Sequence, residues 1–490
     1  MKNRIFAIIL TLVLCITGTL CSCKASSDAL KNASSFADES IIQSSASQSS
    51  SYAEPSSSSS AANSSSAVSS AAKKEEPSAN GSSVPTPTVQ NSPEVTVEET
   101  IVTDEEIEEP IDSQPIEEIK FNNNHTAVAE SDYYQFGILN SKEKALYKNI
   151  VDTVLQSNNV VDFSGLSASY DEAVSAFQKV LADYPQFFYI SKSFMLVYSA
   201  QGTAVRAIVL LYTDGSVTDE LDESLNLIQS ADRAVINQKI ALLKEKIESV
   251  IAKIPVETAE VLKEKMIHDF IAESVQYDYS AAEKSDTQEN TLPHAFDLYG
   301  AAVNKAAVCE GYSKYFQYLC YSVGINSTQI IGISGGGNHM WNGVLLDKEW
   351  YHLDVTWDDS DSIIGYGYFN LTDTEISKDH TADSSVLAVP KCTSSVNSFK
   401  NTFAIYVDDI NKAPSGYETR ISNVIADKSK ALYVYIEGYS PTSDSGKYTA
   451  YIRQYLIKPS SEFSLYLSSK GMALSTQIYT LGEYFILSFV

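Results

Sequence analysis

Three side chains that could together form a covalent catalyst lie within residues 309–357 of this chain: Cys309, His339 and Asp354. A thiol becomes a nucleophile when a base takes its proton, and an imidazole base needs an acceptor that holds its ring. The three tryptophans of the chain fall in the same stretch, at Trp341, Trp350 and Trp357. The residue types and their order predict a thiol nucleophile, its base and an orienting carboxylate.

The residues around Cys309 predict a helix over Ala306–Val323, because apolar side chains recur at spacings of three and four and Gly324 follows them. Cys309 then lies in the first turn, where unpaired amides and the helix dipole favour a thiolate. Glu310 is expected to face solvent or the start of the helix. Cys320 repeats the apolar face and is expected to be a small buried side chain.

His339 and Asp354 are expected to meet on an antiparallel hairpin whose strands are Met340–Leu346 and Glu349–Thr356. A two-residue turn at 347–348 makes His339 and Asp354 diagonal neighbours on one face, with Cβ atoms about 7–8 Å apart. A three-residue loop would break this register unless a bulge restored it. The turn lacks the glycine that a tight hairpin prefers.

The residues around the hairpin are expected to line a pocket. Gly337 belongs to the glycine-rich loop Ser334–Asn338, whose backbone can approach another group closely. Trp341 and Trp357 are expected to form core or pocket wall, and His352 to be a neighbour of the site. The sequence has no cysteine and histidine spacing typical of zinc, so neither a metal nor another cofactor is predicted.

Each of these residues also has a purely structural interpretation. A histidine such as His339 is more often a satisfied core or surface residue, and a helical cysteine is usually a small buried side chain. Asp354 within an apolar strand is costly unless it is paired. Because the three residues occur in the order that the chemistry needs, we favour the catalytic interpretation.

Three blocks resemble the signature blocks of the transglutaminase-like superfamily, most closely its exported bacterial members: Ala307–Ser313, Asn338–Val344 and Trp350–Asp358. The resemblance covers about residues 258–380. It implies an α+β core of the papain-like or transglutaminase-like type, in which the helix bearing the cysteine packs on an antiparallel sheet bearing the histidine and the aspartate. It also implies that the cysteine attacks a carboxamide or peptide carbonyl, with these roles carried by Cys309, His339 and Asp354.

The resemblance implies two donors for the oxyanion, the amide of Cys309 and a side chain upstream of it. That side chain is a tryptophan in the animal enzymes, and this sequence has none there. Tyr277 is the candidate, with Gln276 and Tyr279 as alternatives. Calcium dependence is not carried over, because the sequence contains no calcium-loop motif.

The same triad can catalyse two reactions, and its presence does not exclude a protein without catalytic activity. In a peptidase or amidase water takes the acyl group, whereas in a protein-glutamine acyltransferase an amine takes it. The alternative from another class is a non-catalytic surface binding or scaffold protein that keeps a transglutaminase-like fold, since fold alone does not give function.

The N-terminus predicts export. Two basic residues precede an apolar run over Ile5–Leu20, which is too short to be a firm membrane span. The segment Leu20-Cys-Ser-Cys23 resembles a bacterial lipobox. Residues 1–22 are therefore expected to be a lipoprotein signal peptide and Cys23 the lipidated residue that anchors the protein to the cell membrane. An ordinary secretory signal is the alternative.

Residues 23–122 are expected to be a disordered tether. Serine occupies 16 of the 27 positions 44–70, and residues 94–118 carry 11 acids and no base. Such a segment buries too little apolar surface to offset its chain entropy. The net charge of −27 argues against nucleic acid and against docking of the protein surface on anionic lipid. The expected partners are a protein or peptide substrate at the cell surface and, through the lipid anchor alone, the membrane.

Three folded regions are expected after the tether. Residues 125–256 are predicted to be an N-terminal α+β domain and residues 257–385 the catalytic domain. Residues 395–490 are predicted to be a C-terminal α+β or β module, with one of its strands over Tyr448–Ile457.

Overall fold

Four sheets organise the described part of the chain. The computed structural model describes residues 115–120, 123–199, 204–213, 233–283, 294–359, 364–426, 428–481 and 483–489, and all of them fall in one compact unit. The predicted signal peptide 1–22, the lipidation site Cys23 and nearly all of the predicted tether 23–122 lie outside the described residues. Within these ranges, no helix is long and apolar enough to cross a membrane.

The first sheet is antiparallel, in the order β1–β3–β2, with β1 Val160–Asp162, β2 Ile190–Tyr198 and β3 Val205–Tyr212. Asn140 and Ser169 begin two helices that pack on each other, and each forms a reciprocal capping box with a glutamate three residues later. The helices of this region are α1 Tyr134–Gly137, α2 Ser141–Leu155, α3 Tyr170–Asp183 and α4 Arg233–Ile251.

A short parallel strand pair follows this region. Strand β4, Gln276–Tyr277, lies between helices α5 Glu260–Ser274 and α6 Tyr279–Ala282, and it pairs with β5, Ala306–Ala307. Helix α7, Cys309–Ser322, begins directly after β5. A Cβ at Gly311 would lie 2.6 Å from the Cβ of Ala307, so only glycine lets the first turn of α7 approach the strand this closely.

The third sheet is antiparallel, in the order β8–β7–β6–β9, and α7 packs against β6 and β7. The predicted α+β class, with the cysteine helix on an antiparallel sheet, is confirmed. The strands are β6 Asn326–Ser334, β7 Gly337–Leu346, β8 Glu349–Leu353 and β9 His380–Ala382.

The predicted hairpin register is confirmed as far as Leu353, which pairs with Asn342. Asp347 and Lys348 both have left-handed φ angles, 50° and 73°, which is the geometry of a two-residue type I′ turn without glycine. The predicted continuation of the second strand to Thr356 is wrong. Residues Val355–Asp358 form a short helix, α8, because the Asp354 side chain accepts hydrogen bonds from the first amides of that helix.

The fourth sheet lies in the C-terminal region, in the order β10–β11–β13–β12, and only its β10–β11 pair is parallel. Its strands are β10 Ile405–Val407, β11 Ala431–Ile436, β12 Leu474–Leu481 and β13 Tyr484–Phe489. The helices after α8 are α9 Asp373–Ile376, α10 Phe399–Thr402, α11 Tyr417–Ala426, α12 Ser445–Tyr451 and α13 Glu462–Ser469.

The strand predicted over Tyr448–Ile457 is wrong, because this segment is helical. It contains the end of α12 and a π-helical turn over Ile452–Leu456. The buried side chains recur at the spacing of a helical face, and this period outweighs the strand preference of the aromatic residues. They are Tyr448, Tyr451, Ile452 and Leu456.

One hydrophobic core joins the N-terminal region to the catalytic region. It includes Phe177 and Leu210 from the former and Leu319 and Met340 from the latter. A second core forms under the C-terminal sheet. The predicted boundary between 125–256 and 257–385 therefore does not coincide with a break in the core, and the domain boundaries stay predictions.

Replacing Gly332 by alanine is expected to lower the free energy of unfolding by about 1–3 kcal/mol, the usual cost of overpacking. A Cβ there would lie 2.1 Å from the Thr381 carbonyl oxygen and 2.8 Å from the Trp341 ring, so β9 could not pair with β6 as it does. The matched control is Gly337→Ala, where no described atom lies within 4 Å of a Cβ. Urea unfolding midpoints measure the stability of both variants. Equal losses would show that the close approach of β9 to Gly332 is not what the alanine disturbs.

Candidate active site

Cys309 is the first residue of α7, and it is 6% exposed. The preceding Val308 is extended (φ −90°, ψ 179°), and its apolar side chain makes no capping hydrogen bond to the helix. The amides of the first turn and the positive end of the helix dipole favour negative charge at the thiol.

His339 lies on β7 and bridges the other two predicted residues. Its Nε2 atom is 2.6 Å from Oδ2 of Asp354, and its ring makes a second side-chain hydrogen bond with Cys309. Since Nε2 is hydrogen-bonded to Asp354, the nitrogen that faces the thiol is Nδ1. The structure thus brings together Cys309, His339 and Asp354 in the order predicted from the sequence.

The surroundings of His339 favour its protonated form. Burial alone would lower its pKa, but the charge of Asp354, the hydrogen bond to it and the contact with Cys309 outweigh burial and raise the pKa of His339 to about 10. The ring is therefore an imidazolium at neutral pH. An adjacent imidazolium favours the thiolate, which is the nucleophilic form of cysteine, over the thiol.

Asp354 is buried and accepts four hydrogen bonds. Its Oδ1 accepts from the amides of Thr356 and Trp357, and its Oδ2 faces Nε2 of both His339 and His380. Burial disfavours the carboxylate, but the charges and hydrogen bonds of the two histidines outweigh it and hold the pKa of Asp354 well below its usual range. The same side chain thus ends β8, begins α8 and fixes the His339 ring.

Two polar contacts hold the cysteine helix against the histidine strand. The Ser313 hydroxyl lies 2.9 Å from the carbonyl oxygen of Cys309 and 3.0 Å from that of Met340. The side chain of Asn342 donates to the Ser313 carbonyl at 3.0 Å. Because these groups are buried, breaking either contact leaves an unpaired polar atom next to the site.

The short helix α8 is fixed from a second side by α5. His268 lies 3.0 Å from Asp269 and 3.2 Å from Asp358, the last residue of α8. Burial would lower the pKa of His268, but hydrogen bonds to these two carboxylates outweigh it and raise the pKa to about 9. The cation therefore holds α8, and with it Asp354, at a fixed distance from α5.

The sequence predicted that Glu310 faces solvent or the start of the helix. Its side chain is instead completely buried. Lys192 and Lys314 each place Nζ 2.6 Å from one of its carboxylate oxygens. Burial would raise the pKa of Glu310, but the two lysines outweigh it and lower it. Since Lys192 lies on β2, the N-terminal region directly supports the residue that follows Cys309.

A cleft of about 1530 Å³ opens beside His339. The predicted pocket residues Gly337 and Trp357 line it, and Trp357 is 39% exposed. Trp341, predicted to be core or pocket wall, belongs to the core: it is only 1% exposed, packs behind His339 and does not line the cleft. The far wall of the cleft comes from the C-terminal region and includes Lys428, Ser429, Lys430 and Tyr433.

The candidate oxyanion donors lie on the same cleft. Tyr277 on β4 pairs with Ala307, two residues before Cys309. Gln276 and Tyr279 line the cleft with it. The structure therefore brings the donor candidates close to the start of α7 and leaves the choice between them open.

Among the described residues, two side-chain groups have donor atoms close enough to hold a cation: His339, Asp354 and His380, and His352, Asp373 and Cys392. In the first group, the short contacts to Asp354 are hydrogen bonds occupied by protons. In the second, Trp341 donates to Nδ1 of His352, so the proton of that ring lies on Nε2 and is donated to Asp373. We assign neither as a metal site.

The sequence assigned no role in the site to His380 or His268, although both are buried and contact carboxylates there. Both lie outside the hairpin in sequence. The signal for His268 is a histidine followed by an aspartate on the buried face of a helix. For His380 it is a similar pair, Asp379-His380, entering a short strand.

A sequence profile described as the Transglutaminase-like superfamily matches residues 249–355. Among curated proteins, the kyphoscoliosis peptidases of Mus musculus and Homo sapiens are 23% and 24% identical to this chain over 237 residues. That stretch is 44% of this chain and 33% of each relative. The chain thus spans about a third of the length of the curated relatives it matches.

Two solved structures are also similar to parts of the chain. One, reported as a TGase, is 18% identical with a TM-score of 0.23, over 40% of this chain and 49% of that one. The other, a proposed cysteine protease from Cytophaga hutchinsonii, is 17% identical with a TM-score of 0.21, over 30% and 45%. On the profile match, residues 249–355, which contain Cys309, His339 and Asp354, are a domain of the transglutaminase-like superfamily.

Proposed function

We propose that this protein is a cysteine catalyst that opens amide or peptide bonds through an acyl-enzyme on Cys309. The observation that carries the proposal is the position of the His339 ring, which bridges the thiol of Cys309 and the carboxylate of Asp354 at the start of a helix. This is the nucleophile, base and orienting group of a catalytic triad.

Acylation uses the ion pair that the site favours. The Cys309 thiolate attacks the carbonyl carbon, a C–S bond forms, and the oxyanion faces the Cys309 amide and one of the donors near Tyr277. The imidazolium of His339 then gives its Nδ1 proton to the amine as the C–N bond breaks. The products of this step are a free amine and a thioester.

Deacylation reverses the role of His339. The neutral ring takes a proton from water, the resulting hydroxide attacks the thioester, and the C–S bond breaks to release a carboxylic acid and the thiolate. Hydrolysis is the favoured outcome, because water always reaches an open cleft. If an amine attacks in place of water, the same intermediate gives protein-glutamine acyl transfer.

Casein incubated with a fluorescent primary amine distinguishes these reactions. We expect peptide fragments from the wild type and none from Cys309→Ala, with Cys320→Ala as the control because that thiol is buried on the same helix. Incorporation of the amine without fragments would assign the acyltransferase reaction. If neither product depends on Cys309, with other unfolded proteins and glutamine peptides also inert, the catalytic proposal fails and the binding or scaffold alternative takes its place.

We also propose that the protein is exported and held at the cell membrane by lipid on Cys23, where it meets protein or peptide substrates. The support is the apolar run and lipobox-like segment before Cys23 and the serine-rich, acidic stretch that follows. Replacing Cys23 by alanine is expected to move the protein from the membrane fraction to the soluble or secreted fraction. An unchanged distribution would contradict the anchor.

A further inference from the structure

A second histidine, His380, contacts the carboxylate of the site. It begins β9, which pairs with β6 so that His380 lies opposite Ser334. Its Nε2 atom is 3.1 Å from Oδ2 of Asp354, the same oxygen that lies 2.6 Å from Nε2 of His339. One oxygen atom therefore serves both rings.

The other nitrogen of His380 also faces a carboxylate. Nδ1 is 2.6 Å from Oδ1 of Asp379, and Oδ2 of Asp379 accepts a hydrogen bond from the Tyr368 hydroxyl at 2.8 Å. Carboxylates only accept hydrogen bonds, so the ring makes both contacts only when it carries both protons. The geometry thus favours a positive charge on His380 beside Asp354.

The His380 ring has little freedom to turn. It is buried, and its centroid lies 4.9 Å from Trp357, 5.1 Å from Trp341 and 5.4 Å from His339. The titratable groups that face it from its own and the neighbouring elements are Asp354, Asp379, His339, His352 and Tyr368. Asp354 and Asp379 are its hydrogen-bond partners, so its charge is directed at the carboxylate that orients His339.

We propose that His380 is a positioning residue of this site, which shares one oxygen of Asp354 with His339 and thereby limits how tightly His339 holds its proton. A carboxylate that is already paired with one cation attracts a second cation less strongly. His380 then joins Cys309 and Asp354 in setting the proton affinity of His339. The consequence for turnover rests on the proposed function, but the effect on His339 does not.

The variant His380→Phe keeps a ring in the aromatic cluster and removes the donor and the charge. We expect the midpoint at which His339 loses its proton to rise by about one pH unit, a tenfold change in proton affinity. Selective labelling of histidine rings makes this measurable by NMR, because the chain has six histidines and His339→Ala identifies the resonance. His380→Gln, which keeps a donor without the charge, should give a smaller rise.

Asp379→Asn is the second variant, and it carries the test if the His380→Phe protein does not fold. It weakens the charge on His380 and should move the His339 midpoint in the same direction. Asp373→Asn is the matched control, because the two side chains are equally exposed, 41% and 40%, and Asp373 is the acceptor of His352 instead. The control should leave the midpoint unchanged.

An unchanged His339 midpoint in the folded His380 and Asp379 variants would overturn the proposal and leave His380 a packing residue. Failure of the proposed function has a different signature, in which wild-type protein turns over no amide substrate while the midpoint still moves. If turnover is found, kcat of His380→Phe should fall with little change in KM, and His380→Gln should restore part of it.

Discussion

Replacing Cys309 by alanine is expected to remove amide turnover, with a loss on the order of 10⁴-fold or more, the scale seen when a triad loses its nucleophile. No other described thiol can take its place, since Cys320 and Cys392 are completely buried. Burial, and to a lesser extent the nearby acids Glu264 and Asp373, raise the pKa of these two thiols. Initial rates of fragment release from casein measure the loss.

The control for this experiment is Cys320→Ala, which removes a thiol from the same helix without touching His339. It should retain wild-type turnover within a fewfold. The Cys309 variant should remain folded, because a small side chain at the end of a helix is replaced by a smaller one. Undiminished turnover in a folded Cys309→Ala protein would show that the reaction uses another nucleophile.

Replacing Asp354 by asparagine is expected to lower turnover by about 10²–10⁴-fold, the contribution of a well-positioned acid–base group. The neutral amide keeps the shape of the side chain but no longer favours the imidazolium of His339. His380 loses the same partner. Because both rings are buried, the free energy of unfolding of the variant should also fall by about 3–5 kcal/mol, the usual cost of breaking a buried ion pair.

The stability difference between the wild type and Asp354→Asn is expected to depend on pH in a definite direction. The pKa of His339 in the folded protein is raised to about 10 from an ordinary value of 6.5. Between these pH values the folded state holds a proton that the unfolded state has released, so this contribution is complete below about 6.5 and is lost as pH rises towards 10. The stability advantage of the wild type over Asp354→Asn should therefore shrink across that window in urea unfolding. An advantage that grows with pH would contradict the ion pair.

The parts of the site that local geometry determines could be predicted from the sequence. A two-residue turn fixes the parity of a hairpin, and the pairing of Leu346 with Glu349 follows from it. Helical spacing placed Cys309 in the first turn of α7. The contact of His339 with Asp354 then follows from the register, although the strand ends at Leu353, one residue before Asp354 and three before its predicted end at Thr356.

The parts that depend on distant partners could not be predicted in this way. Glu310 is buried because Lys192, 118 residues away in sequence, reaches its carboxylate. His380 arrives beside Asp354 only through the pairing of β9 with β6, a long-range contact that no local pattern specifies. Trp341 lies two residues after His339 on β7 and so shares its face of the strand. Strand β9 packs over Trp341, which therefore does not line the cleft.

Alkylation of Cys309 by iodoacetamide across a range of pH reports whether the thiol is activated by His339, and it needs no substrate. Peptide mapping by mass spectrometry reports each thiol separately, and the buried Cys320 and Cys392 serve as internal controls. An imidazolium–thiolate pair predicts that alkylation of Cys309 is half-maximal below about pH 7.5 and moves towards 8.5 in His339→Ala. A wild-type profile already like that of a free thiol, unchanged by His339→Ala, would rule out an imidazolium–thiolate pair and with it the proposed nucleophile.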